Sequence, residues 1–432
     1  PYFIDLDQLI EEKLLTRKEC QACDFGDDPQ DIDYGKLYEN RFKLLRKAYE
    51  RANVGEDQEF EAYRRENAWW LDDYALFMAV KDRFDGVAWN EWAEDIRLRW
   101  SNAMDYYRRE LYYEIEFYSY LQFVFMKQWK KLKNYANING IEIIGDIPIY
   151  VAFDSADAWA NPELFQFDAE NLPTAVAGCP PDGFSADGQL WGNPLYRWDY
   201  HRETGFDWWI RRIAYCSELY DVVRIDHFRG FDEYYSIPYG DTTARNGHWE
   251  KGPGIALFEA AKNRLGELNI IAEDLGYITD SVKKLVADSG FPGMKVLEFA
   301  FDSREKSDYL PYTYEKNSVV YTGTHDNETI AGWYAGLDKS DLKMCTDYMN
   351  IDRIPGKEYH WDFIRLAMLS VSDLCVIPIQ DYLGLDNRAR INHPSTLGTN
   401  WRWRLAKGQL SASLLKEIRE MTRISGRLQN GE

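Results

Sequence analysis

Carboxylic acids recur at the ends of short apolar runs in the second half of the 432-residue chain. Asp226 follows the residues DVVRI, Glu273 follows NIIA, and Asp326 follows SVVYTGTH. The further polar residues at such ends are Asp146, Arg224, His227, Asp274, His325, Gln380 and Asp381. A single aspartate there is common as a helix cap or turn residue, but capping uses serine, threonine and asparagine as readily. The dominance of carboxylates therefore predicts a cluster of acids with a chemical task.

Converging carboxylates have two common uses, which are binding a hard cation and cleaving a glycosidic bond. Arg224 stands two residues before Asp226, so on a strand both side chains point to the same side. A guanidinium there keeps the carboxylate ionised, as a nucleophile requires, whereas a metal site gains nothing from it. The sequence therefore favours glycoside chemistry over a metal site, and we expect neither a metal nor another cofactor.

A retaining mechanism divides the work between two acids that lie about 5 Å apart. Asp226 suits the ionised nucleophile. Glu273 suits the proton donor, because its longer side chain reaches the leaving oxygen and a neighbouring carboxylate favours its protonated form. Asp326 suits a group that binds sugar hydroxyls more tightly as the ring flattens. His227 and His325 each adjoin one of these aspartates, so we interpret both as partners of sugar hydroxyls.

Short β-rich runs, each followed by a loop and a helical pattern, must position these acids. Six runs follow Gly140, at 141–151, 221–231, 269–276, 294–301, 318–327 and 374–384. Strands alternating with helices predict a parallel sheet, which is either open and doubly wound or closed into a barrel. No G-x-G-x-x-G motif opens the first helix, so a dinucleotide fold lacks its usual support. A β/α barrel is favoured, with its active face at the carboxyl ends of the strands.

Periodicity divides the chain into three parts. We predict that residues 1–35 join the barrel, that 36–138 form a helical subdomain, and that 139–432 form the catalytic barrel. The stretch 152–200 is rich in loop residues and is longer than an ordinary strand-to-helix connection. We interpret it as an active-site loop insertion.

Composition restricts the partners of the protein. A net charge of −21 disfavours nucleic acid, anionic membrane surfaces and polyanionic substrates. No apolar run approaches the roughly 20 residues of a membrane span, and no G-x-x-x-x-G-K-[ST] loop supports phosphoryl transfer. Aromatic residues form 16% of the chain and often adjoin Asp, Asn or Gly, so their rings either fill cores or stack on sugars. A neutral substrate fits this composition best.

The six cysteines are scattered, and the sequence shows no export signal. One C-x-x-C pair is present without the second pair that a zinc site needs. We therefore expect reduced thiols and a cytoplasmic protein.

Six segments resemble the signatures of the amylomaltases, the 4-α-glucanotransferases of glycoside hydrolase family 77, which are related to the α-amylases. RIDHFRG, AEDLG and THDN resemble the nucleophile, acid/base and third-acid segments, in the order of the family. GDIPIYVAFDSADAW, GCPPDGFSADGQLWGNPLY and NWRWRL resemble its other signatures. The resemblance covers nearly all of the chain. It implies a (β/α)8 TIM barrel with helical subdomain insertions, with Asp226 as nucleophile, Glu273 as general acid/base and Asp326 as transition-state stabiliser.

The same resemblance implies the substrate. Family members cleave an α-1,4 bond, hold the donor on the aspartate, and transfer it to the 4-hydroxyl of another glucan, so the expected partners are maltooligosaccharides and α-1,4-glucans. The segment 178–191 resembles the mobile loop over the family's cleft. Contacts with the glucan are implied for Arg224, His227, His325, Asp182, Ser185, Trp191, Phe299 and Asn392.

The chain departs from the family pattern at its start. Members normally carry a first and a second barrel strand ahead of the stretch that resembles PYFIDLD, and this sequence starts at that stretch. We therefore expect the first strands of the barrel to be missing. Two alternatives to a transferase stay open. One is an α-glucan hydrolase of the same clan, with the same three acids and water as acceptor. The other is a catalytically inactive glucan-binding barrel, which the missing first strands leave open.

Overall fold

The structure is a computed structural model that describes residues 1–181, 185–276, 278–352 and 359–428. The described chain falls into two compact units. The first comprises Pro1–Asp24, Gly35–Ile270 and Ile278–Ser289. The second comprises the described residues within Phe25–Tyr34, Ile271–Tyr277 and Gly290–Glu432. Asp226 therefore belongs to the first unit, and Glu273 and Asp326 belong to the second.

Long helices dominate the first unit before its first strand. The helices of this unit are α1 (Leu6–Glu11), α2 (Arg17–Gln21), α3 (Tyr34–Arg51), α4 (Gln58–Arg83), α5 (Glu94–Arg97), α6 (Ser101–Glu110), α7 (Tyr112–Ile138), α8 (Ala156–Ala160), α9 (Trp198–Glu203), α10 (Asp207–Leu219), α11 (Ile255–Leu265) and α12 (Asp280–Ser289). Asp57 starts α4, because its carboxylate accepts hydrogen bonds from the N–H groups of Glu59 and Phe60. Phe60 and Tyr63 then pack on Phe123 of α7, with ring centroids 5.5 and 5.7 Å apart. Aromatic packing thus joins the two longest helices.

A parallel sheet in the first unit carries Asp146, Arg224 and Asp226 on its strands. The strands that lie or begin in the first unit are β1 (Ile144–Pro148), β2 (Ala175–Cys179), β3 (Gln189–Pro194), β4 (Val222–Asp226), β5 (Glu233–Pro238), β6 (His248–Lys251) and β7 (Ile270–Ala272). β1 pairs with β4 in parallel, and this register sets Asp146 beside Arg224. On the other side of β4, Val223 donates its N–H to the carbonyl of Asn269, the residue directly before β7. The first four residues of β4 are buried, as in a strand covered on both faces.

A second sheet of four antiparallel strands has the order β3-β2-β5-β6. We predicted the stretch 152–200 as a loop insertion and missed β2 and β3 within it. These strands are short and contain Gly178 and Gly192, and glycine is rare in strands. A β-carbon at Gly178 would lie 2.1 Å from the carbonyl oxygen of Gln189. Glycine is therefore needed for the close approach of β2 and β3.

The second unit contains a parallel sheet of three strands in the order β10-β9-β8. Its strands are β8 (Gly293–Val296), β9 (Ser318–Tyr321) and β10 (Leu374–Val376). Its helices are α13 (Ile330–Gly336), α14 (Lys339–Met349), α15 (His360–Met368), α16 (Ile379–Tyr382) and α17 (Ala412–Ile424). Leu297, Tyr314, Val320 and Ala367 form a buried cluster that packs α15 against the sheet.

Each of the six apolar runs contains or overlaps one strand, namely β1, β4, β7, β8, β9 or β10. The protein is a mixed α/β protein, as the runs predicted. Asp226 is the last residue of β4, and Glu273 directly follows β7. None of the described helices combines the length and the apolar character that crossing a membrane requires.

Candidate active site

Arg224 ties two carboxylates together at the end of β4. Its Nη1 donates to both carboxylate oxygens of Asp146, at 2.7 and 2.6 Å, and its Nη2 lies 3.1 Å from Oδ1 of Asp226. The side chain of Arg224 is 9% exposed, whereas that of Asp226 is 41% exposed. The held guanidinium favours the ionised form of Asp226. This carboxylate can therefore meet a ligand in its charged state.

His227 follows Asp226 in the left-handed region of the backbone, with a φ of 54°. Its ring meets Trp191 of β3 edge-on, with centroids 4.9 Å apart and planes at 89°. Tyr150 lies near both, with its ring centroid 6.5 Å from that of His227. Burial, assisted by the charge of Arg229, lowers the pKa of His227 to about 3. The imidazole is thus neutral at neutral pH and has one donor and one acceptor nitrogen, which suits hydroxyl groups.

Ser185 lies in a tight turn between β2 and β3. Its hydroxyl donates to the carbonyl of Gly188 at 2.7 Å, and the N–H of Gly188 donates to the Ser185 carbonyl at 3.1 Å. Gly188 has a φ of 66°, and a β-carbon there would lie 2.4 Å from the carbonyl oxygen of Cys179. The structure therefore gives Ser185 a part in forming this turn. Asp182 lies outside the described residues.

Glu273 is held directly after β7. Its Oε1 accepts a hydrogen bond from the N–H of Leu275 at 2.8 Å. The side chain of the next residue, Asp274, contacts β8, where its Oδ1 accepts a hydrogen bond from the N–H of Met294 at 2.7 Å. A β-carbon at Gly293 would lie 2.5 Å from Oδ2 of Asp274, so glycine makes room for this carboxyl. Burial raises the pKa of Asp274, and its contacts with β8 fix the strand end that carries Glu273.

Phe299 presents an exposed ring after β8. The residue is 42% exposed. Tyr309 supports the ring from its edge, with centroids 5.5 Å apart and planes at 75°. The hydroxyl of Ser307 donates to the Phe299 carbonyl at 2.9 Å. A supported, exposed aromatic ring suits stacking on the apolar face of a sugar.

Neighbouring side chains orient both carboxylate oxygens of Asp326. Asn392 donates from Nδ2 to Oδ1 at 2.6 Å, and Nε2 of His325 lies 3.3 Å from Oδ2. Arg390 donates from Nη2 to the Asp326 carbonyl at 2.7 Å. The ring of His325 also lies 5.1 Å from that of Trp401, between centroids. Since 40% of the Asp326 side chain is exposed, the site offers an accessible carboxylate in a defined orientation.

Comparison with known proteins establishes the family. Residues 1–410 match the sequence model of the family described as 4-alpha-glucanotransferase, glycoside hydrolase family 77. The chain belongs to this family. The 4-alpha-glucanotransferase of Clostridium butyricum is 46% identical over 429 residues, which are 99% of this chain and 88% of the relative. The 4-alpha-glucanotransferase of Thermus thermophilus is 44% identical over 437 residues, which are 99% of this chain and 86% of the relative.

Solved structures agree with this assignment. The amylomaltase from Streptococcus agalactiae in complex with acarbose has a TM-score of 0.95 at 41% identity, and the match covers 99% of this chain and 87% of that one. The amylomaltase from Corynebacterium glutamicum, with a TM-score of 0.75 at 19% identity, shares the fold. The predicted family is confirmed, and the protein is an enzyme of the 4-α-glucanotransferase class.

The structure brings predicted site residues into contact in each of the two units. Arg224 contacts Asp226 and His227 contacts Trp191 in the first unit. His325, Asp326 and Asn392 meet in the second. Sequence reasoning assigned no site role to four residues that contact them, which are Asp146, Tyr150, Arg390 and Trp401. The strand-end position of Asp146 and the place of Trp401 in NWRWRL were the available signals. Groups of three or more side chains suited to a metal ion are absent from the described residues.

Proposed function

We propose that this enzyme transfers α-1,4-glucan segments from a donor to the 4-hydroxyl of an acceptor glucan or glucose by a retaining double displacement. Asp226 is the nucleophile, Glu273 the general acid/base and Asp326 the transition-state stabiliser. The substrates are maltooligosaccharides and longer α-1,4-glucans. The observation that carries the proposal is the Arg224 bridge, since a buried guanidinium favours the charged Asp226 that the first step requires.

In the first step, a carboxylate oxygen of Asp226 attacks the anomeric carbon of the donor. The bond from that carbon to the glycosidic oxygen breaks, and Glu273 gives its proton to the departing oxygen. The products are a glycosyl ester on Asp226 and a shortened glucan with a new 4-hydroxyl. The configuration at the anomeric carbon is inverted.

In the second step, the 4-hydroxyl of the acceptor attacks the same carbon and displaces Asp226. Glu273, now a carboxylate, takes the proton of that hydroxyl, and a second inversion restores the α configuration. Asp326 binds sugar hydroxyls more tightly as the ring flattens, and its orientation by Asn392 and His325 supports this role. The sugar-contacting residues are Arg224, His227, His325, Asp182, Ser185, Trp191, Phe299 and Asn392.

We also propose that the parallel strands belong to a (β/α)8 barrel with helical subdomain insertions. The likeness to the amylomaltase from Streptococcus agalactiae supports this fold. The domain bounds at 1–35, 36–138 and 139–432 remain predictions. A cytoplasmic location also remains a prediction, and free thiols at Cys216 and Cys345 are consistent with it.

Incubation with maltotriose separates transfer from hydrolysis. Transfer moves a glycosyl group between sugars, so we expect glucose and longer oligosaccharides with a constant total of reducing ends. Chromatography of the products and a reducing-sugar assay measure both quantities. Glucose and maltose with rising reducing ends would instead identify the hydrolase alternative. Binding without turnover would identify the inactive glucan-binding alternative.

A further inference from the structure

Glu298 is a buried acid in the second unit, directly before the exposed Phe299. It is 8% exposed, and its Oε1 has no hydrogen-bond partner among the described residues. Its backbone N–H donates to the carbonyl of Thr322 at 3.2 Å. Thr322 directly follows β9 and begins the segment 322–330, which carries His325 and Asp326. Glu298 therefore contacts the first residue of the segment that carries Asp326.

The side chain of Glu298 fills the space beside this segment. A β-carbon at Gly323 would lie 2.6 Å from Glu298 Oε1 and 3.1 Å from Cβ of Asn327, so glycine allows the carboxyl to approach the backbone. Oδ1 of Asn327 accepts hydrogen bonds from the N–H and the hydroxyl of Thr324, at 3.0 and 2.8 Å. Oγ1 of Thr324 accepts from the N–H of Asp326 at 3.3 Å. A continuous set of contacts thus links Glu298 to the backbone of Asp326.

A second buried acid, Asp381, holds both ends of the segment 322–330. It is fully buried, and its Oδ2 accepts from the hydroxyl of Thr322 at 2.5 Å while its Oδ1 accepts from the N–H of Ile330 at 2.9 Å. Burial raises the pKa of Asp381 to about 6, and the two hydrogen bonds that its carboxyl oxygens accept favour its charged form. A second negative charge in the same interior is therefore strongly disfavoured.

The surroundings of Glu298 favour its neutral form. Burial raises the pKa of Glu298 well above its ordinary value, and the charges of Asp381 and Glu328 raise it further. Hydrogen bonds from the Glu328 backbone and the Asn327 side chain oppose this shift only in part. A buried oxygen without a partner is also less costly on a neutral acid than on a charged one.

We propose that Glu298 is a positioning residue that acts as a neutral polar group, packed against Gly323 and Asn327, and fixes the segment that carries His325 and Asp326. The inference rests on the proposed role of Asp326 and extends it to the support of that residue. Glutamine has nearly the same shape and is neutral at every pH. It should therefore replace Glu298, whereas an apolar side chain of similar size should not.

The test compares Glu298→Gln with Glu298→Leu in maltotriose kinetics. We expect Glu298→Gln to retain kcat and KM within about twofold at pH 7. We expect Glu298→Leu to lower kcat by about 10- to 100-fold with little change in KM, since a small displacement of a catalytic group has effects of that size. The exposed Glu315 offers the control pair Glu315→Gln and Glu315→Leu, which should leave kcat unchanged. Circular dichroism checks that each variant is folded.

The pH profile supplies a readout that packing alone does not change. In the wild type, ionisation of Glu298 at alkaline pH should disturb the segment and lower kcat, so Glu298→Gln should retain activity to higher pH. A Gln variant as impaired as the Leu variant, or a fully active Leu variant, would overturn the inference. If Glu298→Leu does not fold, the inference is tested by Glu298→Gln alone. Its kcat at pH 7 should be within about twofold of the wild type, and its activity should extend to higher pH. Full activity of Asp326→Asn would reject the role of Asp326 itself, which separates that failure from this one.

Discussion

Replacement of Arg224 by methionine removes the cation that Asp146 and Asp226 share, and it keeps an unbranched side chain in a buried position. Without the guanidinium, the charged form of Asp226 loses the positive charge that lies 3.1 Å from its Oδ1. A protonated Asp226 cannot attack the anomeric carbon. We therefore expect lower activity and an acid limb of the pH–activity profile that lies at higher pH.

The size of the effect follows from the 3.1 Å between Nη2 of Arg224 and Oδ1 of Asp226. Coulomb's law gives about 5 kcal/mol at an effective dielectric constant of about 20, and about 1 kcal/mol in bulk water. Because 41% of the Asp226 side chain is exposed, solvent screening places the interaction at about 1–3 kcal/mol. This corresponds to a shift of the acid limb by about one to two pH units. At a fixed pH on that limb, kcat/KM should therefore be about 10- to 100-fold lower than in the wild type.

The assay is the initial rate of maltotriose disproportionation as a function of pH. Asp146→Asn supplies a variant of opposite sign, because it leaves the whole guanidinium charge to Asp226 and should move the acid limb to lower pH. Arg211→Met removes an exposed arginine that pairs with Asp207 on α10, and this control should change neither quantity. An unmoved acid limb in Arg224→Met, or a shift in the same direction in Asp146→Asn, would refute the reasoning.

Two further predictions concern a buried histidine and the partner of Asp326. Burial lowers the pKa of His201 to about 4 from an ordinary 6.5, so its contribution to stability is complete above pH 6.5 and is lost as the pH falls toward 4. In urea unfolding, the contribution of His201 should lower the free energy of unfolding by about 3 kcal/mol between pH 6.5 and pH 4. His201→Gln should reduce this loss, whereas the exposed control His248→Gln should not. An equal pH dependence of the free energy of unfolding in the two variants would contradict this prediction. Asn392→Asp replaces the donor to Asp326 with a like charge. We expect kcat on maltotriose to fall by about 10- to 100-fold, and an unchanged kcat would argue against orientation by Asn392.

Local patterns were sufficient to predict the strands that carry the acids. β4 and β9 are buried almost throughout, and such strands appear in a sequence as continuous apolar runs. The contact between Arg224 and Asp226 was predictable for a similar reason, since side chains two residues apart on a strand share one face. The order of acids along the chain then indicated the family.

Contacts between distant segments could not be predicted in this way. Asp146 meets Arg224 from 78 residues away, through the register of β1 against β4. Asn392 meets Asp326 across 66 residues. The periodicity of one segment contains no information on its register with another. Strands β2 and β3 of the antiparallel sheet were not predicted for a different reason, because they lack a long alternating pattern and contain glycine.

Trapping the glycosyl enzyme tests the roles of Asp226 and Glu273 most directly. In Glu273→Gln, an α-maltosyl fluoride can still react, because fluoride departs without an acid, whereas transfer to an acceptor lacks its base. Mass spectrometry of the digested protein should then find a maltosyl group on the peptide at Asp226, and no such group in the double variant Asp226→Asn/Glu273→Gln. A maltosyl group on another residue, or one that persists in the double variant, would contradict the account.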